Sequence, residues 1–239
     1  MPRFFIDHEP TDIITVTDSD ARHIGRSLRM KIGDPITFCR CGTDYFCTIT
    51  NMTDTDVTCR IDSLTPSKSE PDVFLTIYQA FPKQDKFEQI IQKTVELGAS
   101  RIVPFISKRC VSRPDSKDFS KKLERFRKIS EEAAKQSGRG IIPEIAPLMT
   151  FEQALDDMQS SELKLLCYEN GGEKLASLNL SSYRTISVMI GSEGGFERSE
   201  ADRAAEKGAV PLWLGERILR CETCPPAITA VIMNLTGNM

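Results

Sequence analysis

Residues 190–196 read Ile-Gly-Ser-Glu-Gly-Gly-Phe, which sets three glycines and one carboxylate between an apolar run and a polar, alanine-containing run. Glycine opens backbone conformations closed to other residues and lets another molecule lie against the main chain, so such a loop is either a tight reversal or a ligand cradle. A second stretch, Leu-Gly-Glu-Arg-Ile-Leu-Arg-Cys-Glu-Thr over residues 214–223, offers Arg220, a guanidinium that stays protonated and can stabilise a developing anion or grip a phosphate. The other usual chemistries lack their residues. The glycine loop has neither the Lys-Ser/Thr ending of a phosphate loop nor the spacing of a dinucleotide fingerprint, which disfavours ATP and NAD. No Gly-x-Ser-x-Gly elbow occurs, and the histidines, His8 and His23, lie far along the chain from the glycine loop. No His or carboxylate cluster has metal-ligand spacing, so no metal is expected. The reactive group is therefore expected to come from a bound cofactor.

Eight cysteines in a chain of 239 residues do not form a disulfide framework when no secretory leader is apparent. Cys39, Cys41, Cys47 and Cys59 lack paired C-x2-C knuckles and read as strand residues rather than zinc ligands. Cys221 and Cys224 form one C-x2-C pair, without a thioredoxin-like context. No apolar run approaches a membrane span, and a cytoplasmic protein is expected. The net charge of −3 argues against nonspecific coating of nucleic acid, yet two basic clusters stand out. One holds Arg22, His23, Arg26, Arg29 and Lys31; the other runs from Lys108 and Arg109 to Lys128 and includes Lys121 and Lys122. Each alone reads as a solvated helix face, and together they suit a folded-RNA surface.

The elements that must position these groups change grammar along the chain. Up to about residue 62, short strands at residues 35–40, 45–52 and 56–62 are broken by Gly- and Asp-containing turns, with one helical insert between Asp18 and Met30 carrying the first basic cluster. Residues 63–72, with prolines, serines and no apolar periodicity, read as a linker. A βαβ unit then follows: a strand over residues 73–81, a helix with Phe87, Ile90, Ile91, Thr94 and Val95 on one face that stops at Gly98, and a strand over residues 101–106. This predicts a parallel sheet. The alternation continues with a basic helix from about Phe119 to Gln136, a short strand near Ile145, a helix opened by the capping-box pair Thr150 and Gln153, and strands ending at residues 169, 190 and 215. The last helix opens with Pro225-Pro226 and is apolar on nearly all sides, so it must be buried within its domain or against a second subunit. Ligands of open α/β sheets bind outside the carboxyl ends of strands, and the three loops there begin at Tyr168, Gly191 and Gly215.

The segments "EQIIQKTVELGAS", "SKRC", "KISEEAAKQSGR", "IGSEGGF" and "LGERILRCET" resemble, in order and spacing, the small-subunit ribosomal RNA uracil-N3 methyltransferases of the SPOUT superfamily. "MPRFF" and "HIGRSLRMKIGD" are similar to that family's N-terminal domain, so the resemblance spans nearly the whole chain. The family pattern Gly-Pro-Glu-Gly-Gly and Arg-Thr-Glu-Thr-Ala is met except at Ser192, Cys221 and Cys224. The resemblance implies a two-domain α+β protein: a PUA-like, RNA-binding β-barrel with linker over residues 1–70, and an α/β SPOUT domain with a trefoil knot over residues 71–239. It implies S-adenosylmethionine as cofactor, a homodimer, and ribosomal RNA of the small subunit as partner, with no membrane. By this resemblance Gly191, Gly194, Gly195 and Gly215 leave room for the cofactor. Leu166, Ile190, Leu214, Ile218 and Leu219 wall its adenine, and Glu222 holds it or the entrance of the last helix. Arg220 is the first candidate to stabilise a uracil anion and Arg3 the second, with Glu193 and Thr223 as further catalytic candidates. Arg22, Arg26, Arg29, Lys121 and Lys122 are the RNA-binding candidates. A competing reading is a ribosome-assembly factor that binds RNA with a decayed methyltransferase site; cofactor binding separates the two.

Overall fold

Strict alternation of buried and exposed residues, as in Ile13–Thr17 where Ile14 and Val16 point inward, builds the first of two sheets. The computed structural model describes residues 1–239, the side chain of Ser116 excepted, and divides into two units, 1–70 with 134–141 and 71–133 with 142–239. The first unit contains β1 (Arg3–Phe5), β2 (Ile13–Thr17), a short α1 (Asp18–Arg22) continued by a π turn His23–Ser27, β3 (Pro35–Arg40), β4 (Thr43–Met52) and β5 (Asp56–Pro66). Its five strands form one curled half-barrel in the order β1-β3-β4-β5-β2, with β1 parallel to β3 and the other pairs antiparallel. Ile14, Ile36, Phe38, Ile49 and Val57 fill its interior together with Ile24 of the helical insert. Leu28, which the spacing put on the same face as Ile24, follows the π turn as its C-cap and is exposed. Cys41 and Gly42 connect β3 to β4 with φ of 47° and 77°, the left-handed pair that a two-residue hairpin requires.

The predicted linker begins later than expected. Ser63 to Pro66 extend β5 and pair with Phe46 to Thr43, past a bulge at Phe46/Cys47. These residues are exposed and held by main-chain pairing, so no burial pattern marks them in the sequence.

The second unit runs β6 (Phe74–Ala80), α2 (Lys86–Glu96), β7 (Arg101–Ile106), α3 (Ser116–Ser137, whose residues from 134 on belong to the first unit), β8 (Glu144–Ile145), β9 (Met149–Thr150), α4 (Phe151–Asp157), β10 (Leu163–Cys167), β11 (Glu173–Lys174), β12 (Thr185–Ile190), α5 (Arg198–Glu206), β13 (Val210–Trp213) and α6 (Cys224–Leu235). Its strands lie in the order β11-β13-β10-β12-β6-β7-β8, with β9 also on β7, and every pair is parallel. Helix α2 buries Phe87, Ile90, Ile91, Thr94 and Val95, the face read from its periodicity, and Gly98 at φ 106° ends the turn beyond it. The Thr150 hydroxyl accepts from the Gln153 N–H and the Gln153 side chain from the Thr150 N–H, completing the expected capping box of α4. Helix α6 buries Ile228, Thr229, Ile232 and Met233 and packs on α2 and β6. Its other side leaves Val231 and Leu235 exposed, at 45% and 40%.

Candidate functional site

Parallel pairing puts the carboxyl ends of β10, β12 and β13 side by side, because they occupy neighbouring places in the sheet. The loops that leave them, starting at Tyr168, Gly191 and Leu214, line a cavity of about 670 Å³. This is the position an open α/β sheet gives a ligand. Of the residues expected from sequence, Ile190, Gly191, Glu193, Gly194, Gly195, Leu214, Gly215, Ile218, Leu219, Arg220 and Glu222 all line it.

The glycine loop folds onto itself before it meets anything else. The Gly195 N–H donates to the Ser192 carbonyl at 2.9 Å, and a Cβ on Gly191 would stand 2.9 Å from the Gly195 Cα. Gly194 lies under Arg109, whose Nη1 donates to the Gly194 carbonyl at 3.0 Å. Gly195, at φ 64°, faces the Glu169 carboxylate. The loop is thus both a tight reversal and one wall of the cavity.

The electrostatics centre on Lys86, the first residue of α2. Its Nζ lies 3.2 Å from Glu193 Oε1 and 3.1 Å from Glu222 Oε2. These two ion pairs hold the Lys86 ammonium above its usual range, with Glu222 contributing most. Burial by itself raises the Glu193 carboxyl, but hydrogen bonds, including one from the Lys83 N–H at 3.0 Å, and the Lys86 cation outweigh it and hold it low. Glu222 is held low in the same balance, burial opposed by hydrogen bonds and Lys86. Cys221, whose Sγ donates to Glu222 at 3.2 Å, is pushed up to about 12, first by burial, so it stays a neutral thiol. Cys224 and Cys167 also line the cavity.

Other expected residues lie elsewhere. Leu166 is fully buried in the core between the sheet and α4–α5, one residue short of the cavity, because successive strand residues face opposite ways. Thr223 is exposed and stands at the N-cap position of α6 without a capping side-chain hydrogen bond, its N–H donating to the Arg220 carbonyl. Arg3 belongs to the first unit: its Nη1 and Nη2 donate to Asp44 at 2.7 and 2.9 Å, and Nη1 also to Cys39 Sγ and the Arg139 carbonyl. Arg22, Arg26 and Arg29 are exposed on the first unit; Lys121 and Lys122 are exposed on α3. Among the described residues no group of three or more His, Cys, Asp or Glu could hold a metal ion, and no helix is long and apolar enough to cross a membrane.

Sequence reasoning missed Lys86, Glu169 and Trp213, all of which line the cavity. No local signal marked Lys86: it reaches the cavity because β6 lies beside β12 in the sheet, so that the loop after β6 also opens at this end. Two buried atoms, Gln79 Oε1 and Ser192 Oγ, lack partners among the described residues. Gln79 spends its amide nitrogen on the Gly191 carbonyl at 3.0 Å, and Ser192 lines the cavity, so both orphans belong to the glycine loop's surroundings. Buried polar atoms of this kind are ordinarily satisfied by water or ligand.

Residues 69–233 match the RNA methyltransferase domain family, and residues 16–62 match the RNA methyltransferase PUA domain. The ribosomal RNA small subunit methyltransferase E of Bacillus subtilis (strain 168) is 33% identical over 94% of this chain and 93% of its own length. The structure of the Neisseria gonorrhoeae ribosomal RNA small subunit methyltransferase E bound to S-adenosyl methionine is 32% identical, covers 98% of each chain and superposes with a TM-score of 0.89. A Legionella pneumophila methyltransferase in complex with the cofactor SAM is 26% identical, covers 97% of this chain and 96% of its own, and has a TM-score of 0.86. Half-barrel and parallel sheet thus agree with full-length relatives, and the chain belongs to the ribosomal RNA small subunit methyltransferase E family.

Proposed function

We propose that this protein transfers a methyl group from S-adenosylmethionine to N3 of a uridine in small-subunit ribosomal RNA. The observation that carries the reading is one cavity walled by the glycine loop and by the loop bearing Arg220. The residues fit the cofactor. Glycine main chain, apolar walls at Ile190, Leu212 and Leu214, and the carboxylates of Glu169, Glu193 and Glu222 suit a ligand with a flat base, hydroxyls and positive charge. When bound, S-adenosylmethionine supplies an electrophilic methyl group on a sulfonium.

Uracil N3 must lose its proton before or as it is methylated. Arg220, exposed at the edge of the cavity, can stabilise the resulting anion without giving up its own charge. The cytoplasm, where ribosomes are assembled, is the compartment this reading implies. A homodimer is the assembly we infer, supported by the exposed apolar residues Val231 and Leu235 on α6 and Ile218, which is 87% exposed.

Mass spectrometry of ribosomal RNA from a strain lacking the protein tests the reading. The small-subunit RNA should lack one N3-methyluridine, restored by the wild-type gene. Arg220→Ala should bind cofactor but turn over roughly 10²-fold more slowly, the loss typical of a removed oxyanion donor. An unchanged modification pattern in the deletion strain removes the proposed substrate. Calorimetry with S-adenosylmethionine separates an active enzyme from an RNA-binding factor with a decayed site.

A further inference from the structure

We propose that Lys86 is a positioning residue that clasps the two walls of the cavity together and thereby sets the height of Arg220. The inference rests on the methyltransferase reading above. It begins with three segments far apart in sequence that meet at one ammonium: Lys86 on α2, Glu193 on the glycine loop and Glu222 on the loop before α6. The Lys86 Nζ also lies 3.9 Å from Cys221 Sγ, and the backbone N–H of Lys83 adds a second hold on Glu193. The base of the clasp is firm, since Phe87, Ile90 and Ile91 anchor α2 in the core and α6 packs against it.

Two carboxylates sharing one cation repel each other once that cation is removed. Glu222 has little freedom to move alone. The Arg220 carbonyl accepts the N–H groups of both Thr223 and Cys224 at 2.9 Å, so Arg220 and Glu222 sit on one tight turn. Displacing Glu222 therefore displaces Arg220. On the other side of the clasp the glycine loop would keep the Lys83 N–H on Glu193 and its own Gly195–Ser192 hydrogen bond, so that wall holds while Glu222 is released, and the added negative charge would favour a cationic cofactor. Loss of Lys86 should accordingly separate binding from turnover.

An ordinary partly exposed ion pair is worth little and would move neither quantity. The side chains of Lys86, Glu193 and Glu222 are 23%, 27% and 21% exposed, so the distinction must be measured. In Lys86→Met, turnover on small-subunit particles should fall about tenfold or more while cofactor affinity stays within a few-fold of wild type. Lys86→Arg should recover most of the turnover, and Lys86→Met/Glu222→Gln should be less impaired than Lys86→Met alone. Hydrogen exchange of cofactor-free protein gives a readout independent of activity: the Thr223 and Cys224 amides should exchange faster in Lys86→Met. Wild-type turnover with unchanged exchange in Lys86→Met overturns the clasp, as does a loss that Arg fails to repair and that follows cofactor affinity alone. If wild type itself methylates no particle, the methyltransferase reading fails instead, and the exchange experiment still decides the clasp.

Discussion

Gly195 is where the two sequence readings of the glycine loop meet. Its φ of 64° places it in the left-handed region, and a Cβ there would stand 2.7 Å from Glu169 Oε1. Either constraint alone could be relieved: the Glu169 carboxylate is the end of a flexible chain, and left-handed backbone costs an ordinary residue about 1–2 kcal/mol. A β-branched residue faces both at once. Gly195→Val should therefore weaken S-adenosylmethionine binding by at least about tenfold in calorimetry, the factor that 1.4 kcal/mol represents, while the thermal transition shows the fold retained. Undiminished affinity would place the cofactor away from this loop. Gly191 is required for a different reason, since its neighbour is the Gly195 main chain rather than a side chain that can swing away.

Arg3 shows how an element claims a residue that sequence assigns to chemistry. The guanidinium reaches from β1 to Asp44 on β4, the two side chains being only 16% and 9% exposed, and the Ser67 hydroxyl donates to the same carboxylate. Burial by itself raises the Asp44 carboxyl, but the hydrogen bonds from Arg3 and Ser67 and the Arg3 charge outweigh it, so it lies below the usual range. A carboxyl depressed on folding contributes stability above its unfolded value of about 3.9, and that contribution disappears as the pH falls through the folded value. Stability of the half-barrel should thus drop below about pH 4. Arg3→Met would leave Asp44 buried and unpaired, at a cost of about 3–5 kcal/mol, and should flatten that acid limb. Urea titrations from pH 3 to 7 check both effects. A stable Arg3→Met protein with lost turnover would return Arg3 to the reaction.

At the scale of the molecule, a net charge of −3 cannot draw RNA by its overall field. Affinity must come from local patches meeting phosphates, and both patches are exposed: Arg22, Arg26 and Arg29 on the first unit, Lys121 and Lys122 on α3. Helix α3 can present that face because Phe119 and Phe126 pack inward with Phe81, leaving the lysines outward. Binding through phosphates is salt-dependent, and its slope falls by about 1 for each phosphate that is no longer neutralised. Charge reversal at Lys121 and Lys122, or at Arg26 and Arg29, should weaken methylation of small-subunit particles and flatten its salt dependence. Cofactor binding should be unchanged. Equal particle methylation by wild type and both reversal variants would show that the patches are merely solvated.

Local grammar in the sequence determined much of this protein. Periodicity marked the buried face of α2, side-chain chemistry marked the capping box at Thr150 and Gln153, and glycines marked the loop after β12. Each of these is decided by residues within a few positions of one another, so a local reading suffices. The order of the parallel strands is not local. It puts β6 beside β12 and β13 beside β10, and so brings Lys86 between Glu193 and Glu222. The same three-dimensional pairing turned Leu166 into the core, bound Arg3 to Asp44 and extended β5 through a segment of linker composition. Long-range pairing depends on which surfaces exclude water together, and that is a property of the assembled sheet rather than of any stretch of chain.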